Sequence, residues 1–231
     1  MAIRLPERDS LITALVLPEN LPNGKYLGGF DLSVGVPTGT RDRILDSALA
    51  AFGMRGYDAT SLDDLAADLG ITKQAILYHY SSKEALLKAT IELAVNELGS
   101  ALSGAANPQA RGFERIEDLV RATFSLAARR PEVLGLIRLV SRQGGVASGK
   151  LASAMSVMLG DAVRFVEAEM DAGRFRRLEP RMLLLAVYSA VVGVATEPEV
   201  MRALGLEPDL RSLVRARRET IEFLRAALIA D

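Results

Sequence analysis

The amino-acid sequence predicts an all-α protein of about nine helices. Three observations carry that expectation. From Thr40 onward, apolar residues recur at the 3.6-residue spacing of a buried helix face. The same stretch shows neither the apolar–polar alternation of a half-buried strand nor an internal repeat. Helix breakers fall between the periodic segments, at Asn107-Pro108, Pro131, Gly144-Gly145, Gly173, Pro180 and the 197–208 stretch.

Residues 1–39 differ from the rest. Pro6, Pro18, Pro22, Pro37 and five glycines break any long helix, so this segment reads as an arm or a disordered extension. Its Arg4, Arg8 and Lys25 are offset by Glu7, Asp9, Glu19 and Asp31, which disfavours a basic arm laid in a minor groove. The first helix follows, burying Leu45, Ala48, Leu49 and Phe52, with Gly56 closing it in a left-handed conformation. Thr60 is placed to cap a second helix, with Asp63 as its capping-box partner and Leu62, Leu65, Ala66 and Leu69 as the buried face. Gly70 permits a sharp turn. Thr72 caps a third helix of about two turns, and Ser81 with Glu84 starts a fourth. Further helices are expected near 83–104, 113–129, 131–143, 150–172, 180–196 and 208–229.

Two short helices joined by a glycine turn, then the capped start of another, is the layout of a DNA-reading helix-turn-helix. On a helical wheel Ile76 points inward against Leu65 and Leu69, while Lys73, Gln74, Leu77 and Tyr78 point outward. An outward leucine and tyrosine on so short a helix call for a partner. A major groove supplies one. Gln74 can pair with adenine, Lys73 with guanine or a phosphate, Leu77 with a thymine methyl, and Tyr78 with a phosphate. Thr60 and the helix start at Ser81–Lys83 are placed to hold backbone phosphates.

The run TRDRILDSALAAFGMRGYDATSLDDLAADLGITKQAILYHYSSKEALL resembles the N-terminal domain of the tetracycline-repressor (TetR) family of transcription regulators. The later helices agree with that family only in number and order. The resemblance implies a DNA-binding domain over 40–88 and a ligand-binding and dimerisation domain over 89–231. It implies a homodimer on a palindromic operator, most simply a repressor, released by a small-molecule effector. Carried onto this sequence, the DNA-contacting positions are Thr60, Lys73, Gln74, Tyr78, His79 and Lys83, beside Thr72 and Leu77 of the same element. The chain departs from the family at Ile76-Leu77, where leucine-tyrosine is usual; Leu77 cannot give the phosphate contact of that tyrosine. Residues 40–90 carry six Lys/Arg against seven Asp/Glu, so DNA binding is expected to depend only shallowly on salt.

In the C-terminal region, Met182–Ala195 is apolar nearly all round, and Leu210, Val214, Ile221, Leu224 and Leu228 form a stripe on the last helix. Together with Leu184, Tyr188 and Val191 these residues are the expected dimer interface, a four-helix contact between two copies. Phe113, Phe124, Leu134, Ile137, Met155, Met158, Leu159, Phe165 and Tyr188 are candidates to line an effector pocket, and methionines adapt to varied ligands. Arg138 either meets an effector carboxylate or reaches solvent along its stem. With so little clustered charge, a largely apolar effector is expected.

Other classes are disfavoured. The chain has no cysteine and one histidine, His79, which excludes disulfides, cysteine nucleophiles and multi-histidine metal sites. Gly144–Leu151, GGVASGKL, lacks the terminal hydroxyl of a phosphate-binding loop and follows a helix rather than a strand. No G-x-S-x-G elbow accompanies a histidine. No enzyme activity, cofactor or metal is therefore expected. The longest uncharged apolar run is too short to span a membrane, and a cytoplasmic location is expected. The rival reading is a helical small-molecule-binding protein that has lost DNA binding; Leu77 and the acidic second helix support it.

Overall fold

The structure is a computed structural model and describes residues 39–105, 107, 109–143 and 145–229. The expected arm, Gly39 apart, lies outside the described residues. Those residues form ten helices, α1 (Thr40–Arg55), α2 (Leu62–Leu69), α3 (Lys73–His79), α4 (Lys83–Ala105), α5 (Phe113–Arg129), α6 (Pro131–Gln143), α7 (Gly145–Asp171), α8 (Pro180–Thr196), α9 (Pro198–Ala203) and α10 (Leu210–Leu228). No strand occurs among them, only an isolated antiparallel bridge between Phe175 and Ile229.

Two differences from the sequence-based expectation have local causes. The stretch 197–208 contains the short helix α9, because Pro198 occupies a first-turn position where its missing N–H costs nothing. Helix α7 begins at Gly145, five residues before the expected start; the Ser148 hydroxyl donates to the Val140 carbonyl at 2.5 Å across the α6–α7 turn. Gly149 and Lys150 of the near-miss phosphate loop are thus helical.

One apolar core runs from the N-terminal helices into the rest of the chain. It joins Ile44, Leu49 and Phe52 of α1, Leu65 of α2 and Ile76 of α3 to Leu86 and Ile91 of α4, Leu134 and Ile137 of α6 and Met155 of α7. The expected boundary after Lys88 falls inside α4, which serves both halves. A second core, built on Phe113, Phe124, Val166, Phe175, Val191, Ile221, Leu224 and Leu228, unites α5, α7, α8 and α10. The buried carboxylate of Glu169 pins the corner of this core. It accepts the Gly112 amide at 2.9 Å and pairs with Arg174, which holds its carboxyl below the usual range.

The two halves meet most closely where α1 crosses α6. A Cβ on Gly53 would lie 2.3 Å from the Glu132 carbonyl oxygen, and one on Gly135 would lie 2.6 Å from the Gly53 oxygen. The backbones therefore touch directly. Beside this crossing the Arg130 guanidinium reaches Asp46 of α1 at 2.7 Å, Glu97 of α4 at 3.4 Å and Glu132 of α6 at 2.5 Å.

Candidate nucleic-acid interface and effector cavity

The helix pair α2–α3 is set by its caps. Ser61, not Thr60, caps α2: its hydroxyl accepts the Asp64 amide at 3.0 Å, and the Asp64 carboxylate accepts the Ser61 amide at 2.9 Å. The Ser61 hydroxyl holds the Asp64 carboxyl below its usual range, with the amide adding to it. The box was legible, one residue out of place, since Ser61 and Asp64 also have its spacing. Thr60 is 1% exposed, and its hydroxyl donates to the Gly56 carbonyl at 2.9 Å. Its amide points to the Tyr57 carbonyl, so Thr60 has no free donor for a phosphate. Gly56 has a positive φ of 95° but an extended ψ, rather than the left-handed helical conformation expected of it.

Gly70 adopts the left-handed conformation at φ 66°, and Thr72 caps α3 by accepting the Ala75 amide at 3.2 Å. This turn anchors Ile76 in the core at 0% exposure. The opposite face stands free: Gln74 is exposed, Leu77 is 36% exposed and Tyr78 is 86% exposed. Lys73 is tied at 2.8 Å to Asp63 of α2, so its ammonium must be shared or released to touch a nucleic acid. His79 packs edge-on to Tyr78, with ring centroids 5.2 Å apart. Ser82 rather than Ser81 caps α4, accepting the Ala85 amide at 3.1 Å. The Lys83 ammonium sits 4.0 Å over the Tyr57 ring, whose hydroxyl donates to Glu84 at 3.3 Å. Tyr57, which no motif singles out in the sequence, thus positions Lys83.

Between α4, α5, α6, α7 and α8 lies a mainly apolar cavity of about 770 Å³. Leu134, Ile137, Met155, Met158, Leu159, Phe165 and Tyr188 line it. Phe113 and Phe124 do not, because both rings are spent in the second core. Nor does Arg138, which pairs with Glu197 and donates to the Thr196 hydroxyl at 2.9 Å, tying α6 to the end of α8. Val95, Leu98 and Leu102 of α4 and Leu119 of α5 also line the cavity. Their spacing is that of any buried helix face, so sequence periodicity could not single them out.

The stripe expected as a dimer interface faces inward instead. Val191, Ile221, Leu224 and Leu228 are buried in the second core, Leu210, Val214 and Leu184 pack on it, and Tyr188 lines the cavity. The apolar residues that α8 and α10 leave exposed are others: Met182, Leu185, Ala186 and Val194 on α8, and Phe223, Ala226 and Ala227 on α10. Among the described residues no helix is long and apolar enough to cross a membrane, and no cluster of His, Cys, Asp or Glu suits a metal ion.

The sequence profile described as "Bacterial regulatory proteins, tetR family" matches residues 44–90, most of α1, all of α2 and α3 and the start of α4. Residues 44–90 are a tetR-family segment. Among curated tetR-like relatives, the biofilm operon negative transcriptional regulator IcaR of Staphylococcus epidermidis is 38% identical over 56 residues, 24% of this chain and 30% of that protein. IcaR of Staphylococcus aureus is 33% identical over 60 residues, 26% of this chain and 32% of that protein. The match thus spans about a third of the length of these relatives. Solved structures of transcription regulators extend the likeness in fold to nearly their whole length. A regulator from Saccharomonospora viridis in complex with choline has a TM-score of 0.67 at 18% identity, covering 83% of this chain and 98% of the other. The ketosteroid regulator KstR2 of Mycobacterium tuberculosis has a TM-score of 0.65 at 16% identity, covering 85% and 98%.

Proposed function

We propose that this tetR-family chain is a cytoplasmic DNA-binding transcription regulator, most simply a repressor, that releases a palindromic operator when a largely apolar effector enters the cavity. The exposed face of α3 carries the reading: Gln74, Leu77 and Tyr78 stand free on a helix anchored by Ile76. Gln74 and Lys73 meet base edges, and Leu77 meets a thymine methyl. Tyr78, with the capped helix starts at Thr72 and Ser82 and the Lys83 ammonium, meets phosphates. His79 braces Tyr78. Negative regulation is the role printed for the IcaR relatives.

Site-specific binding is tested by sequencing the genomic fragments that the purified protein retains; a palindrome is expected. Lys73→Ala should weaken binding to it by about 1–3 kcal/mol, and unchanged affinity in a titration would remove Lys73 from the interface. The Lys73–Asp63 pair favours the second reading, a ligand-binding protein without DNA function. Folded, dimeric protein that enriches no sequence would establish that reading.

Two copies pack through the exposed apolar faces of α8 and α10, which sets two α3 helices on half-sites about 34 Å apart. Phe223→Arg is expected to give a folded monomer in sedimentation, since Phe223 is 64% exposed in the single chain. Leu224→Ala, one residue on, should instead cost about 2–5 kcal/mol of stability with the dimer retained, because that side chain is buried. A Phe223→Arg protein that stays dimeric sinks this interface. Effector release then follows as a population shift: ~100-fold preference for the non-binding conformer supplies ~2.7 kcal/mol of coupling.

A further inference from the structure

A second cavity, of about 850 Å³, follows a single face of α7. Leu151, Met155, Leu159, Val163 and Glu167 line it in succession. Residues four apart stack on one side of a helix, so the trough extends along α7 for roughly 24 Å at a rise of about 1.5 Å per residue. Its middle is apolar and includes Leu185, at the edge of the α8 face through which the proposed dimer packs. The charged residues that line it, Arg164, Glu167 and Arg181, belong to one end, two guanidiniums beside one carboxylate. Arg164 pairs with Asp161, while the carboxylate nearest to the Arg181 guanidinium is that of Glu179 at 3.9 Å. At the other end the hydroxyls of Ser141 and Ser148 already donate to backbone carbonyls, so that end suits a group that asks for no hydrogen bond.

A long trough with an arginine-lined mouth, where Arg181 is held only loosely by Glu179, and an apolar, hydrogen-bond-satisfied far end selects on shape and on the head group together. The geometry points to a linear acyl chain bearing an anionic head, the head at Arg164 and Arg181 and the chain running along α7 toward Leu151. Met155, Leu159 and Tyr188 also line the first cavity, so the two share a wall. Methionine is unbranched and adapts its shape to its neighbours, so the occupancy of one cavity is felt in the other. That this ligand also controls DNA release rests on the function proposed above; that it binds does not.

The test is calorimetric titration of the full chain with octanoate, dodecanoate, palmitate, dodecanol and dodecyl phosphate. Affinity is expected to rise roughly fourfold per methylene added until the trough is full. Dodecanoate should bind at least tenfold more tightly than dodecanol, and Arg181→Glu should abolish that preference. Comparison with dodecyl phosphate assigns the head as a carboxylate or a phosphate monoester. Ala152→Trp blocks the trough without touching the first cavity, and should weaken palmitate tenfold or more while leaving octanoate unchanged. Affinity indifferent to chain length, or to the charge of the head, overturns the inference. So does an Ala152→Trp or Arg181→Glu protein whose sedimentation changes while its ligand affinity does not, because a second copy then fills the trough. A ligand lost in Leu119→Arg, a residue that lines only the first cavity, but bound equally by wild type and Ala152→Trp would remove the acyl trough and leave the first-cavity effector standing. Intact length-dependent binding with no ligand releasing DNA would do the reverse.

Discussion

Gly53→Ala is expected to destabilise the protein by about 3 kcal/mol, although glycine-to-alanine inside a helix ordinarily stabilises by about 1 kcal/mol. The sign reverses because the added methyl would lie 2.3 Å from the Glu132 carbonyl oxygen, and backbone cannot swing aside as a side chain can. Gly135→Ala meets the Gly53 oxygen at 2.6 Å and should behave alike. Gly149→Ala is the internal comparison: it sits on helix α7 with nothing within 4 Å and should gain about 0.5–1 kcal/mol. Urea unfolding of the three variants decides the matter; equal shifts for Gly53→Ala and Gly149→Ala would show that α1 and α6 can move apart at little cost. The crossing also concerns function. Helix α6 places Leu134 and Ile137 on the cavity wall and Gly135 against α1, so one rigid element touches both the cavity and the helix-turn-helix half. A variant that pushes α1 off α6 should therefore bind effector with a reduced effect on DNA affinity.

How far away a residue's partner lies in the chain decides whether its role is legible in the sequence. Ile76, Gly70 and Thr72 act through contacts a few residues away, so periodicity and capping rules suffice to locate α3 and its outward face. Thr60 and Ser61 compete for the same cap at adjacent positions, and what separates them is the Gly56 carbonyl waiting for the Thr60 hydroxyl. The stripe of α10 is a true amphipathic face whose direction depends on its neighbour: Leu224 and Ile221 face α5 and α8 of their own chain, and Phe223 does not. Periodicity says that a face is apolar, not which surface covers it. Phe113, Phe124 and Arg138 depart from expectation for the same reason, since distant helices decide whether a buried residue meets a cavity, a core or Glu197. The glycines of the crossing carry no periodic signal at all; each reads as an isolated weak point in a helix until its partner backbone is in view.

Arg130→Met is expected to lose about 2 kcal/mol of stability near neutral pH, less than the roughly 3–5 kcal/mol of a fully buried pair because Asp46 keeps part of its solvent. The loss arises from what remains. Asp46, Glu97 and Glu132 come from three helices and share one guanidinium, so its removal leaves three carboxylates with no cation between them. Glu97 makes the effect depend on pH. Burial pushes its carboxyl above the ordinary 4.5, and Asp46 and Glu132 push in the same direction against Arg130. A carboxyl raised on folding contributes stability when protonated, fully so below its unfolded value of 4.5, and loses that contribution as pH rises through its folded value. Without Arg130 the folded value rises further. The deficit of Arg130→Met against wild type should therefore be largest at about pH 7.5 and shrink as Glu97 takes up its proton toward about pH 5, which urea unfolding at the two pH values measures. A deficit of the same size at both would assign the loss to the packing of the arginine stem rather than to its charge, and the link between α1, α4 and α6 would then be steric, made by their shared apolar core and by the Gly53–Gly135 contact of α1 with α6.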